Sequence, residues 1–183
     1  MRKGRMEGMK VQKPKKLSIM LILALCLTMF CAEPTMAATR SLKSQKFTSS
    51  LSTVQKKATL VKKGTNYKLK VKKNGAWIKF KAPATKKYTF KFSGMKSSDS
   101  YTCGYVGFYK AYASNSNYIT GRKVTTQGGS ANALYLASKK TAKNTTINTF
   151  LTSRYGKANL KKGQMVYMYI YSVDNCTLNF SVK

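Results

Sequence analysis

The sequence contains no histidine and only four acidic residues among its 183, so it lacks the side chains on which most catalytic sites depend. General acid and base catalysis near neutral pH relies mainly on His, Asp and Glu. Without histidine, neither a Ser/His/Asp arrangement nor a Cys/His arrangement can form. We therefore predict that the protein is not an enzyme.

Positive charge, by contrast, is abundant. The chain has 35 Lys and Arg residues and a formal net charge of +31. Hydrophobic residues make up 43 % of the chain, so its composition is that of a protein with a core and not that of a disordered protein. The length fits one ordinary domain.

The first 37 residues have the layout of a secretory signal peptide. Seven basic residues precede an apolar run from Leu17 to Ala32, and small residues follow around Ala37. The alternative is a retained membrane anchor. The run has only 16 residues, whereas a membrane-spanning helix needs roughly 20, which favours a cleaved signal peptide. The long basic leader resembles those of Gram-positive bacteria. We expect a secreted protein that stays at the cell wall and meets the membrane only through its signal peptide.

Two cysteines, Cys103 and Cys176, remain after residue 37. In an oxidising compartment such a pair predicts one disulfide, and two free buried thiols are the alternative. Two cysteines without histidine cannot complete a zinc site. The remaining acidic residues, Asp99 and Asp174, suit a weak calcium site, an ion pair with lysine, or solvated turns. We predict no metal ligand and no cofactor.

Residues 38–55 are rich in Ser, Thr, Lys and Gln, which predicts a flexible tail or linker before a domain at 56–183. From there, apolar and polar side chains alternate in short segments between turn residues, the pattern of β-strands. The first three segments surround Leu69, Ile78 and Phe90. The Asn74-Gly75 pair between the first two predicts a hairpin, so we expect the three strands to form a meander.

The second half of the chain continues this alternation. We expect strands at 103–112, 133–137, 166–171 and 176–182, and a short helix around 145–155. About seven or eight antiparallel strands, each with one apolar side, predict an all-β fold. The predicted architecture is a single antiparallel β-sandwich preceded by a signal peptide.

Two segments carry a family resemblance. Residues 77–94 read WIKFKAPATKKYTFKFSG, and residues 160–171 read LKKGQMVYMYIY. They are similar to the Y-T-F-x-F-S-G and L-x-x-G-x-x-Y-Y-I-x-V strands of bacterial pre-peptidase C-terminal domains. The resemblance implies a jelly-roll-like β-sandwich of the secreted, non-catalytic kind, often an accessory to a hydrolase or a wall protein. The clustered carboxylates of calcium-binding members are missing here.

The candidate residues for binding an anionic polymer are lysines on the polar sides of the predicted strands. Fourteen lysines fall between Lys56 and Lys96, and alternation predicts that the strand lysines share one face. Such a face would capture a polyanion by electrostatic attraction, and the alternative is a solvated surface that keeps the protein soluble. The predicted binding residues are Lys68, Lys70, Lys72, Lys79, Lys81 and Lys91.

Four aromatic residues also fall on the polar sides of their strands. Flat exposed rings can stack on sugar rings, and the alternative is cross-strand pairing that stabilises an outer sheet face. The residues predicted to stack on glycans are Trp77, Tyr167, Tyr169 and Tyr171.

The type of cation narrows the choice of partner. After residue 37, 25 of the 28 basic residues are Lys, whereas base recognition favours the guanidinium of Arg. We therefore predict a secreted binding module for an anionic cell-wall polymer or polysaccharide, without sequence-specific binding of nucleic acid. The alternative is a secreted structural protein or adhesin, or a cationic effector that acts on host surfaces or membranes.

Overall fold

Strands with one apolar side need an apolar surface to cover it, and here two β-sheets cover each other. The computed structural model describes residues 37–144 and 150–183. Within these residues the chain forms a seven-stranded and a six-stranded sheet that share one hydrophobic core. The predicted all-β sandwich is confirmed.

The described residues contain two short helices, α1 (Leu51–Lys57) and α2 (Lys139–Asn144). No helix in this part of the chain is long and apolar enough to cross a membrane. The strands are β1 (Ala38–Ser41), β2 (Thr59–Val61), β3 (Asn66–Val71), β4 (Ala76–Lys81), β5 (Lys86–Ser97), β6 (Cys103–Tyr112), β7 (Asn115–Gly121), β8 (Val124–Thr126), β9 (Gly129–Ala131), β10 (Ala133–Ala137), β11 (Ser153–Leu160), β12 (Met165–Ser172) and β13 (Cys176–Val182).

The order of strands places the C-terminal pair in the middle of the sandwich. The seven-stranded sheet has the order β1-β3-β13-β5-β11-β8-β9. The six-stranded sheet has the order β10-β6-β12-β4-β2, with β7 paired to β6. Strand pairs are antiparallel except β1 with β3 and β2 with β4, which are parallel. Thus β12 and β13, the most regularly alternating segments of the sequence, each occupy an interior position in one sheet.

Alternation along the strands carries the large apolar side chains between the sheets. Phe90 and Phe92 on β5, Phe108 on β6 and Phe180 on β13 are all fully buried. The rings of Phe92 and Phe180 lie 4.6 Å apart within the seven-stranded sheet. The rings of Phe90 and Phe108, 5.8 Å apart, join the two sheets. These contacts form the central core.

The predicted hairpin and meander are wrong. β3 lies in the seven-stranded sheet, β4 in the six-stranded sheet and β5 in the seven-stranded sheet again. Asn74 and Gly75 do adopt positive φ angles of 74° and 93°, but their turn carries the chain from one sheet to the other. A Cβ at Gly75 would lie 2.6 Å from the Ile170 carbonyl oxygen, so glycine is needed. Turn residues determine the local change of direction, whereas the pairing partners β12 and β13 come from the far end of the chain.

The flexible tail predicted at residues 38–55 is also wrong in this structure, because the segment folds onto the sandwich. β1 pairs with β3, and α1 begins after Ser50, whose hydroxyl accepts a hydrogen bond from the Thr53 amide at 3.4 Å. Leu51 and Val54 are buried against the six-stranded sheet, with Ala58 just beyond the helix. Their spacing of three and four residues is the signal of an amphipathic turn that the polar composition concealed. The predicted signal peptide, apart from Ala37, lies outside the described residues.

The number of strands exceeds the predicted seven or eight. The described residues contain thirteen, because short edge strands such as β8 and β9 are three residues long and give no measurable alternation. The helix predicted around 145–155 is not found in the described part of that range, where β11 begins at Ser153 and pairs with β5. Residues 145–149 lie outside the described residues.

Cys103 and Cys176 are free thiols, so the predicted disulfide is not formed. Cys103 begins β6 in the six-stranded sheet, and Cys176 begins β13 in the seven-stranded sheet. Burial is the main reason why the pKa of each thiol is raised, and the Asp174 carboxylate raises both further. Both thiols are therefore held in their protonated, weakly nucleophilic form.

Candidate functional site

The outward side of the seven-stranded sheet presents exposed lysines on adjacent strands. The inward side chains of β3, β13, β5 and β11 enter the core, so their neighbours in sequence point away from it. None of these outward residues is acidic. We call this surface the lysine face, and its members are Asn66, Lys68, Lys70, Thr177, Asn179, Ser181, Lys87, Thr89, Lys91, Tyr155, Lys157 and Asn159.

On this face, the lysines of β3 and β5 lie opposite hydroxyl and amide side chains of β13. Lys68 pairs with Asn179, and Lys70 pairs with Thr177, both on the central strand β13. Ser181 of the same strand pairs with Lys91. Short neutral side chains between the lysines leave the ammonium groups accessible to a ligand from above. Of the predicted binding residues, Lys68, Lys70 and Lys91 are exposed members of the lysine face, and Lys72, which follows the last residue of β3, is exposed as well.

The other two predicted lysines do not belong to the lysine face. Lys79 and Lys81 lie on β4 and therefore on the outward side of the opposite sheet. The Lys79 ammonium donates a hydrogen bond of 2.5 Å to the Gln55 carbonyl oxygen in α1. The prediction that all strand lysines share one face is wrong, because it assumed that β3, β4 and β5 pair with one another.

Among the described residues, the acidic side chains are confined to one end of the sandwich. Asp99 lies in the loop between β5 and β6, and Asp174 lies in the loop between β12 and β13. These loops meet, since the Val173 amide donates a hydrogen bond to the Cys103 carbonyl oxygen at 3.2 Å. No group of three or more Cys, Asp or Glu side chains that could hold a metal occurs among the described residues. The carboxylates are therefore located away from the centre of the lysine face.

The outward side of the six-stranded sheet is different, because three of the predicted stacking residues are buried there. Trp77 is only 2 % exposed, and Tyr167 and Tyr169 are similarly covered. Phe47 lies over them, with ring centroids 5.7 Å from Trp77 and 5.5 Å from Tyr169. The prediction that these three rings are exposed for sugar stacking is wrong, because residues 47–58 fold back across this sheet.

These rings form a second core with hydrogen-bonded edges. The Tyr169 hydroxyl donates to the Asn74 carbonyl oxygen at 2.5 Å, and the Gln55 amide donates to the Tyr167 hydroxyl at 3.2 Å. Burial, assisted by neighbouring tyrosines, raises the pKa of Tyr169 to about 12. The buried members of this second core are Leu51, Val54, Ala58, Trp77, Ile119, Tyr167 and Tyr169.

Tyr171, the fourth predicted stacking residue, is half-buried and belongs to a row that the sequence did not reveal. Register places Tyr171 opposite Tyr105 on β6, and Tyr105 opposite Tyr135 on β10. Ring centroids are 5.3 Å apart in the first pair and 6.2 Å apart in the second. Tyr135, at the edge, is 43 % exposed and contacts Phe150 at 5.6 Å. We call Tyr171, Tyr105 and Tyr135 the tyrosine row.

The tyrosine row could not be identified from spacing along the chain. Alternation indicated that each tyrosine points outward, but their alignment depends on the register of three strands that are far apart in sequence. A row of rings at this spacing offers apolar ring surface with hydroxyl edges, which suits contact with sugar rings.

Comparisons with known proteins do not assign this chain to a family. No protein-family model and no curated protein matches the sequence. Among solved structures, the chain is similar to CorA of Methylomicrobium album BG8, described as a surface-associated copper-binding protein important in copper acquisition. The identity is 10 % and the TM-score 0.39, over 69 % of this chain and 96 % of CorA. A similarity of this size supports no argument about this chain.

Proposed function

We propose that this protein is a secreted, non-catalytic binding module that is retained at the cell wall by an anionic polymer. The observation that carries the proposal is the lysine face. Exposed Lys68, Lys70 and Lys91 lie on nearby strands of one sheet, separated by neutral side chains. A surface with one sign of charge concentrates a polyanion around itself and accelerates its capture.

The chemistry of the face suits a repeating polymer. A lysine ammonium is a compact point charge on a flexible stem, so it can follow successive phosphates or carboxylates without demanding one fixed geometry. Arginine, which supports bidentate recognition, is absent from the lysine face. Binding of this kind weakens steeply as salt screens the charges.

The finer fold assignment is part of this proposal. The two segments that resemble pre-peptidase C-terminal domains include β4 and β12, which pair with each other in the six-stranded sheet. Their adjacency supports a jelly-roll-like accessory domain that works beside a hydrolase or wall protein.

Co-sedimentation of the protein, without its predicted signal peptide, with purified Gram-positive cell wall tests the proposal. We expect binding at about 50 mM salt, and loss of binding at about 500 mM salt because the screening length falls to a few ångströms. Chemical removal of the anionic polymer from the wall should also abolish binding at low salt. Binding that survives both treatments would contradict electrostatic capture.

No binding to either wall preparation would contradict a wall module. The alternative, a structural protein, an adhesin or a cationic effector on host surfaces or membranes, would then be favoured. Self-assembly of the protein, or leakage of anionic lipid vesicles, would support that alternative.

A second candidate function, glycan binding, is favoured by the tyrosine row. Three tyrosines from three adjacent strands form one continuous outward row, and the outermost ring is 43 % exposed. Glycan stacking would add a contact that salt does not weaken. The two functions are compatible, because the row and the lysine face lie on opposite sheets.

Alanine substitution of Tyr135 and Tyr171 tests this second function. Loss of two stacking rings should weaken binding to polymer-stripped wall glycan by about tenfold at high salt. Pull-down at about 500 mM salt, where charge is screened, measures this effect. Tyr112→Ala is the matched control, because Tyr112 is 47 % exposed and lies outside the row. Equal binding by the double variant and the control would refute glycan stacking by the row.

A further inference from the structure

The end of the sandwich opposite Asp99 and Asp174 contains a basic groove. It lies where the β4–β5 and β11–β12 loops approach the β7–β8 connection, and these loops are tied by the Lys162 amide, which donates to the Thr85 hydroxyl at 3.0 Å. Two adjoining hollows, of about 560 Å³ and 430 Å³, share Arg122 and Gln164. Neither hollow is lined by an acidic residue. The lysines that line them are Lys86, Lys87, Lys161, Lys110 and Lys123.

Arg122 is held in place between the two hollows. Its backbone amide donates to the Phe108 carbonyl oxygen at 2.8 Å, and its Nη2 donates to the Asn159 carbonyl oxygen at 3.0 Å. Its Nε is buried and has no hydrogen-bond partner within the described residues. Burial also lowers the pKa of the guanidinium. The groove thus contains a partly desolvated cation with an unused donor.

Lysines near Arg122 add further unbalanced charge. The neighbouring Lys63 side chain, from the β2–β3 loop, is the main cause that lowers the pKa of Lys86, and desolvation and repulsion between the two ammonium groups act in the same direction. Lowering of a lysine pKa means that its charged form is disfavoured by its surroundings. An anion in the groove would relieve this repulsion.

We propose that this groove binds a single phosphate group, with Arg122 as the anchoring residue. The planar guanidinium presents paired N–H donors that match two phosphate oxygens, and charge-assisted hydrogen bonds of this type are about twice as strong as neutral ones. Arg122 lines both hollows, so a phosphate in either hollow could reach its guanidinium. The surrounding lysines supply the additional positive charge.

The phosphate has two sources, a phosphodiester of a wall polymer or a free phosphate monoester. For the first source, the inference rests on the proposed function and makes it more specific. The polymer is then a phosphodiester that binds through one phosphate to Arg122 and through further phosphates to the lysine face. For the second source, the groove acts independently of the wall.

Nuclear magnetic resonance of the arginine side chains tests the site directly. The chain has three arginines after residue 37, Arg40, Arg122 and Arg154, so their Nε–H signals can be followed separately. Titration with inorganic phosphate at constant ionic strength should shift the Arg122 Nε–H signal saturably and leave the other two nearly unchanged. Acetate in place of phosphate should produce at most a small, non-saturating shift. Equal or absent shifts for all three arginines would overturn the proposal.

Two variants separate anchoring from total charge. Arg122→Lys keeps the positive charge but removes the paired N–H donors of the guanidinium. A bidentate contact becomes a single point contact, so the affinity for inorganic phosphate should fall about tenfold or more. Lys56→Gln, which lies outside both the groove and the lysine face, removes one charge and should leave phosphate affinity within about twofold. Circular dichroism establishes that both variants are folded. Unchanged phosphate affinity in Arg122→Lys would overturn the anchoring role.

A short poly(glycerol phosphate) chain distinguishes the two sources. Saturable binding of this polymer that weakens in Arg122→Lys supports the phosphodiester source. Saturable shifts with inorganic phosphate but none with the polymer would support the groove as a monoester site and contradict the phosphodiester source. If the protein does not bind the wall at low salt in the sedimentation experiment but the Arg122 signal still shifts with phosphate, the proposed function is refuted and the phosphate site is retained.

Discussion

Replacement of Trp77 by alanine is expected to lower the free energy of unfolding by about 3–5 kcal/mol, the usual cost of truncating a buried large aromatic side chain. Trp77 is 2 % exposed and contacts Phe47, Tyr109 and Tyr169, with ring centroids 4.9–5.7 Å away. Its removal would leave a cavity between the six-stranded sheet and the segment that covers it. Chemical denaturation of the wild type and the variant measures the difference.

Tyr135→Ala is the matched control for this prediction, because Tyr135 is an aromatic residue on the same outward side of the same sheet but is 43 % exposed. Its truncation should cost about 1 kcal/mol or less, as is usual for surface substitutions. The intact protein should also show the blue-shifted fluorescence of a buried indole, since Trp77 is its one tryptophan. A stable Trp77→Ala variant with lost glycan binding would restore the stacking role predicted from sequence.

Simultaneous replacement of Lys68, Lys70, Lys72 and Lys91 by glutamine is expected to weaken binding to an anionic wall polymer by about 100-fold or more near 0.1 M salt. Each lysine that neutralises a phosphate releases a counterion, with a slope of roughly −0.7 in log K against log salt per contact on a flexible strand. Loss of four contacts should therefore make the slope shallower by about 3. Binding measured at several salt concentrations gives both quantities.

A variant with the same net charge provides the control. Lys46, Lys56, Lys57 and Lys81 are also exposed, but they lie on the opposite sheet or on or next to the segment that covers it. Their replacement by glutamine should reduce the slope much less, because long-range attraction is screened beyond a Debye length of about 10 Å. Equal effects of the two quadruple variants would show that diffuse charge, and not the lysine face with the neighbouring Lys72, retains the protein.

The strands of this protein were largely predictable from local pattern. In β12, Val166, Met168 and Ile170 alternate with three tyrosines, and the structure places the first set in the central core and the second set on the outward side. A period of two determines the side to which each residue points, whatever the partner strand. The positive φ angles at Asn74 and Gly75 were predictable for a similar reason, since they depend on the two residues themselves.

The candidate site was less predictable, because it depends on which strands become neighbours. Lys70 and Lys79 have the same local pattern, yet they lie on opposite sheets because β3 pairs with β13 and β4 pairs with β12. Trp77 and Tyr171 both point outward, yet Trp77 is buried beneath Phe47 and Tyr171 forms part of a partly exposed row.

The sequence by itself determined the all-β class, the inward and outward sides of the main strands, the excess of lysine, the lack of histidine and the scarcity of acidic residues. These properties follow from composition and from interactions between residues close in the chain. Only the tertiary structure decided that the lysines divide between two faces and that residues 47–58 bury Trp77. It also decided that Arg122 lies in a groove of lysines with an Nε that has no hydrogen-bond partner among the described residues. Each of these depends on contacts between distant segments, which a one-dimensional pattern does not encode.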